Sequence, residues 1–138
     1  YLVNRLSYKN IYMIIVYLVY NILSRHFFIN HSEDRISNYF TSTISHNTDN
    51  DYKNVINVNS YEKLILWVSG FPNIQSTKQF IWRWQQIVYY NTKTPTISDF
   101  YKGVKKVLSR PKSTSLAIPF ADWPNKPLLH IAKNRSFI

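Results

Sequence analysis

The sequence has no cysteine and only two glycines, Gly70 and Gly103. The first absence excludes disulfides and thiolate metal sites. The second excludes a glycine-rich phosphate loop, which needs several glycines in one turn. Acidic residues are also scarce, seven Asp/Glu against seventeen Lys/Arg, for a formal net charge of +10. So few carboxylates, most of them in one polar stretch, leave no paired general acid and base. No Ser/His/Asp arrangement has supporting turn chemistry, and no catalytic constellation is legible. His26, His31 and His46 lack ligand spacing and read as solvated loop histidines rather than a metal site.

A long hydrophobic run is missing as well. The greasiest stretch, Ile11 to Leu23, is apolar or aromatic except at Asn21 and is thirteen residues long. A bilayer-spanning helix needs about 20 apolar residues, and runs of about 10–14 are more often buried core helices. Ile11, Ile14, Ile15, Leu18 and Ile22 follow helical spacing, with Tyr12, Val16 and Tyr20 as a second row. The run therefore predicts a central helix, buried on most sides.

What is present in quantity is apolar and basic. Hydrophobic residues make up 45% and aromatics 17% of 138 residues, enough for a real core in a single domain. The abundant Asn, Ile, Tyr and Lys have A/T-rich codons, which points to an A/T-rich gene, and an organellar genome is one common setting for such a gene. No presequence is legible, and that fits synthesis inside a mitochondrion.

Along the chain, Leu2, Val3 and Leu6 predict a short first helix over 1–10. Residues 30–59 are rich in Asn, Ser, Thr, His and Asp and predict a polar loop or disordered insertion, with a short strand open at Val55, Ile56 and Val58. Ser60 to Ser69 predicts a helix. Asn59 or Ser60 caps it, with Glu62 at capping-box spacing, and Gly70 and Pro72 end it. A further helix over about 77–91 carries Phe80, Ile81, Trp84, Ile87 and Val88 on its buried side. After the Thr94-Pro95-Thr96 turn comes a helix over 97–110, capped by Ser98, with Ile97, Phe100, Tyr101, Val104, Val107 and Leu108 inward. Residues 111–138 predict an extended basic tail in which Pro127 can restart a helix at 128–132. The fold class predicted is all-α: a compact bundle of five to six helices, one domain over 1–138.

Charge is unevenly placed. Up to Gln75 there are six Lys/Arg and five Asp/Glu, a net of +1. Beyond it there are eleven Lys/Arg and two Asp/Glu, a net of +9. Helix 97–110 carries the densest patch, at Lys102, Lys105, Lys106 and Arg110. Clustering of this kind is the footprint of a polyanion contact; Trp82, Arg83, Tyr89, Tyr90 and Trp123 are candidates to stack on bases, but helical spacing already explains several of them and favours core or rim positions for each.

The order of these patterns resembles small-subunit ribosomal protein seven of the bacterial and organellar type. Val3-Asn4-Arg5-Leu6 and Leu18-Val19-Tyr20 match its first two helices in order. Arg83-Trp84 matches a later helix, 97–110 the amphipathic helix after it, and Asn134-Arg135-Ser136-Phe137 its end. Pro72 stands where the family leads into a basic β-hairpin, here shortened to about Phe71–Ser76. The family's basic Gly-Lys-Lys turn is replaced by Asn10-Ile11-Tyr12. The resemblance implies a structural component of a mitochondrial ribosome small subunit. It would be no enzyme, would have no cofactor, and would bind rRNA in the head beside neighbouring ribosomal proteins. The implied RNA contacts are Lys9, Lys78, Arg83, Lys102, Lys105, Lys106, Arg110, Lys112, Lys126, Lys133 and Arg135. The alternative is a membrane-anchored accessory subunit of an organellar respiratory or ATP-synthase complex, with a single span at 11–29.

Overall fold

A computed structural model of the chain describes residues 12–35 and 58–132. The helix predicted over 1–10, Val55 and Ile56 of the short strand, and the Asn134–Phe137 pattern lie outside those residues, as do Lys9, His46, Lys133 and Arg135.

The all-α expectation is overturned. The structure has a four-stranded antiparallel sheet and, among the described residues, two α-helices. In chain order these are β1 (Tyr12–Asn21), β2 (His26–Arg35), β3 (Glu62–Ser69), α1 (Ile74–Val88), α2 (Ile97–Leu108) and β4 (Leu128–Ile131). The sheet order is β2-β1-β3-β4.

The central helix of the sequence reading is thus the central strand. Seven of the ten residues of β1 are β-branched or aromatic, which suits a pleated surface more than a helix. Helical spacing was satisfied there only because nearly every position is apolar. A strand buried on both faces has the same signature. Ile14, Val16 and Leu18 face one side, and Ile15, Tyr17 and Val19 the other; all six are buried.

Asn21, the polar residue that interrupts the run, makes the turn. Its side-chain oxygen accepts from the N–H groups of Leu23 and Ser24, both at 3.0 Å, and its carbonyl accepts from Arg25. Arg25 closes the turn with φ at 62°, a left-handed conformation rarely taken by such a side chain. Where a single helical span at 11–29 was the alternative, the described part, residues 12–29, is two strands and a turn. Among the described residues no helix is long and apolar enough to cross a membrane.

Residues 60–69 are likewise no helix but a turn at Ser60 and Tyr61 followed by β3. The capping-box spacing is real but serves a turn: Asn59 N–H donates to Glu62 Oε1 and Glu62 N–H to the Asn59 carbonyl, each at 3.0 Å. This turn leads β3 into register beside β1, where a bulge opposite Leu18 and Val19 sets Ile65 on the helix side. The helix restart at 128–132 is also corrected, because Leu128–Ile131 pairs antiparallel with Leu66–Ser69 as the edge strand β4.

The two later helices form where the sequence placed them, with shifted ends. Asn73 caps α1, accepting from Ser76 N–H at 2.7 Å. Thr96, not Ser98, caps α2 in a capping box with Asp99. Both helices lie on one face of the sheet. Phe80, Trp84, Phe100, Val104 and Val107 are buried there against Val16, Leu18, Leu66 and Val68. The indole of Trp84 donates to the Phe100 carbonyl at 3.0 Å, and Gly103 lets the helices close on each other. The segment expected as a tail belongs to this core: Trp123 is buried against Phe71, Phe120 against Phe80, and the two against each other.

Gly70 adopts the left-handed conformation expected, φ 104°, but ends a strand. A Cβ there would stand 2.6 Å from the Lys126 carbonyl oxygen. Gly70→Ala should therefore lower stability by about 2–4 kcal/mol, since it meets both backbone strain and a fixed carbonyl. Arg25→Gly should do the reverse, by about 0.5–1 kcal/mol, because relief of the left-handed strain exceeds glycine's extra unfolded-state entropy. Chemical denaturation of both variants checks the pair of signs.

Candidate nucleic-acid interface

Helix α1 buries Ser76, Thr77, Phe80, Trp84 and Val88, a stripe repeating every three to four residues. The opposite row is then fixed by geometry as Lys78, Trp82 and Gln85 or Gln86, all exposed. Helix α1 contains no acidic residue. Helix α2 buries Phe100, Gly103, Val104 and Val107, which turns Lys102, Lys105 and Lys106 to solvent.

Nine Lys/Arg and two Asp/Glu lie between Ser76 and Ala132. One of the two acids, Asp99, is engaged in the α2 capping box: its Oδ2 accepts from Thr96 N–H at 2.8 Å and from the Thr96 hydroxyl at 3.1 Å. The other, Asp122, sits in the short 3-10 turn at Phe120–Asp122. The outer surface of the helix pair is therefore almost purely positive, and its field favours polyanions.

The structure brings part of the expected set together. Arg83 points from α1 into the loop after α2, where its Nε donates to the Ser113 carbonyl at 2.9 Å. That loop carries Arg110 and Lys112, and Lys112 Nζ donates to the Ser115 carbonyl at 2.9 Å. Arg83, Arg110 and Lys112 thus belong to one corner of the helix pair. Lys102, Lys105 and Lys106 continue from it along α2, and Lys78 lies on α1. Lys126 is placed apart, with its carbonyl over Gly70 at the start of the connection from β3 to α1.

Of the five stacking candidates, Trp123 is removed by burial at 5% exposure. Tyr89 packs its ring edge-on against Phe100. Tyr90 is exposed, and so is Trp82, whose ring centroid lies 5.0 Å from the Arg83 guanidinium carbon. Sequence reasoning placed Tyr101 inward. It is exposed, and the Lys105 ammonium stands 5.0 Å over its ring. The signal was its position next to Phe100, about 100° off the buried stripe. Lys93, in the connection between the helices, is a further exposed cation that the expected set omitted.

His26 and His31 lie on the edge strand β2, both exposed, and among the described residues no group of three metal-ligating side chains converges. The opposite face of the sheet holds a second cluster of Ile15, Tyr17, Val19, Trp67 and Ala132. There the Ser69 hydroxyl and His130 Nε2 are 3.0 Å apart, and the His130 ring stacks on Trp67.

No protein-family model, curated protein or solved structure matches this chain. The helix order that carried the likeness to ribosomal protein seven is also gone at its second member, since Leu18-Val19-Tyr20 lies in β1.

Tyr17 is the ionisable group whose environment acts on it most plainly. Burial pushes its phenol above the ordinary value of 10.0, the Glu62 carboxylate adds to the rise, and a hydrogen bond with Asn30 opposes it. Above that ordinary value the unfolded chain loses this proton before the folded one does. The native state then binds more protons, so stability falls as pH rises through about 10 and beyond. Tyr17→Phe should flatten that fall. Denaturation midpoints of both proteins between neutral pH and the alkaline range measure the difference.

Proposed function

We propose that the chain is a structural nucleic-acid-binding protein, which holds RNA against the outer surface of α1, α2 and the loop after α2. The observation that carries this reading is the convergence of Arg83 with the Arg110–Ser115 loop beside the lysine row of α2, on a surface where Asp99 is already engaged by its helix cap. Lysines and arginines there neutralise phosphates and set the register of the RNA. The core beneath fixes their spacing, because α1 and α2 are locked by the buried Trp84–Phe100 bond and the close approach at Gly103. Nothing in this arrangement requires bond-making chemistry, and the role is one of binding and positioning.

A place among the proteins of an organellar small ribosomal subunit belongs to this proposal as its cellular setting. It rests on the residue choice, rich in A/T-coded Asn, Ile, Tyr and Lys, and on the basic second half of the chain.

Phosphate contacts release counterions, so affinity should fall linearly on a log–log plot against salt, by roughly 0.7–0.9 per phosphate neutralised. Replacing Lys102, Lys105 and Lys106 together by Gln should reduce that slope by about 2 to 3 units and leave the fold intact, since all three side chains are exposed. Titration of a structured RNA at several salt concentrations, with circular dichroism as the folding control, makes the measurement. A flat salt response, or no RNA binding, overturns the proposal.

A further inference from the structure

We propose that Trp82 and Arg83 form a stacking platform for one unpaired base, so that the surface distinguishes single-stranded from duplex nucleic acid. This deepens the reading above and rests on it.

Trp82 is the exposed indole of the four in the chain. It is 50% exposed, whereas Trp67, Trp84 and Trp123 are 5% or less. It stands in the middle of the outward row of α1, with its ring reachable from solvent. Its own helix places no acid near it. Lys78 lies four residues before it and Gln86 four after, which sets an ammonium and an amide one turn to either side.

The cation beside the ring is not a loose one. Arg83 Nε is held at 2.9 Å by the carbonyl of Ser113, itself 2% exposed. One donor is thus fixed to a buried residue of that loop, and the guanidinium is held before any ligand arrives. Its carbon lies 5.0 Å from the Trp82 ring centroid. Arginine fixed in this way loses little freedom on binding, and its planar face stacks where an ammonium would not. With the guanidinium over one face of the indole, the other face is left to a base, and the cation beneath the ring supplies charge to the same site.

In a duplex the bases are covered by their neighbours and the platform has nothing to stack on. Duplex therefore engages only the cations, and an unpaired strand engages both. The same indole and arginine could anchor an acidic peptide. The lack of any acid on α1 and the run of lysines on α2 favour a repeating polyanion.

The experiment uses the intact chain with a twelve-nucleotide single strand (as RNA and as DNA) and the corresponding duplexes, at one fixed salt concentration. Trp82 fluorescence should be quenched by the single strands and little changed by the duplexes, since the other three indoles are buried. Trp82→Ala should weaken single-strand binding about tenfold and alter duplex binding less than twofold. Trp82→Phe should recover part of the loss. Arg83→Lys, which keeps the charge and loses the plane, should also narrow the preference. If Trp82→Ala weakens single strand and duplex equally, or neither, the platform is overturned while the electrostatic reading stands. If an acidic peptide quenches Trp82 and single strands do not, the platform is again overturned. If the unaltered chain binds no nucleic acid, both readings fall.

Discussion

The burial of β1 on both of its faces is the constraint on which the other elements depend. A strand with hydrogen-bonding groups along both edges and apolar side chains on both faces cannot exist alone. Its backbone is satisfied by β2 on one side and β3 on the other. Its helix-facing row of Ile14, Val16 and Leu18 is covered by α1 and α2, through Phe80, Trp84, Phe100 and Val104. Helix α2 even reaches the edge strand, where Phe27 packs 5.1 Å from Phe100. The basic surface is the outward side of those same two helices. Its geometry is therefore a by-product of how β1 must be buried.

This coupling explains why the aromatic content matters more than its average suggests. Phe71, Phe80, Trp84, Phe100, Phe120 and Trp123 touch one another in tilted and edge-on pairs between sheet and helices. Rings of this size fill the space between a sheet and a helix pair with few residues, and their preferred angles resist sliding. Trp84 also satisfies its indole N–H by bonding to α2, so the buried polar atom does not weaken the core. The helices are pinned rather than merely covered. That pinning gives the spacing of Lys102, Lys105 and Lys106 a meaning.

The sequence was a good guide to α1 and α2 and a poor one to the sheet. Both helices are amphipathic, so their apolar residues recur with one period and leave no second reading. Asn73 and Thr96 supply caps, and prolines or polar turns bound them. In β1 every residue but Asn21 is apolar or aromatic, and β3 carries the unbroken run Leu64–Val68; a run apolar on all sides matches the helical period as well as the strand period. Length did not arbitrate, since a ten-residue stretch suits either. The β-branched and aromatic content of β1 was the discriminating signal. Asn21 was visible as the polar exception, but its meaning as a turn-former needed the partner strand. Of the candidate site, the lysine face of α2 was legible from spacing alone. The joining of Arg83 to the loop at Ser113 was not, because thirty residues separate them and no local pattern reports a contact across two helices. The segment around Trp123 was misread for a related reason: a proline-rich stretch looks like a tail until its aromatic residues are seen to close a core.

That last feature bears on how the chain comes to be folded at all. Sheet and core are completed only by Phe120, Trp123 and the edge strand β4. During synthesis β1 emerges ahead of the other described elements and must wait for more than a hundred residues before β4 is made. The helix pair, built from neighbouring segments, forms quickly and locally, whereas the β1–β3 pairing and the β3–β4 closure join distant parts and come late. In that interval a strand rich in Ile, Val and Tyr is the most adhesive part of the nascent chain. The hairpin turn at Asn21–Arg25 shortens its exposure by giving β1 an immediate neighbour in β2. Asn21 thus acts on the time course of folding as well as on its end point.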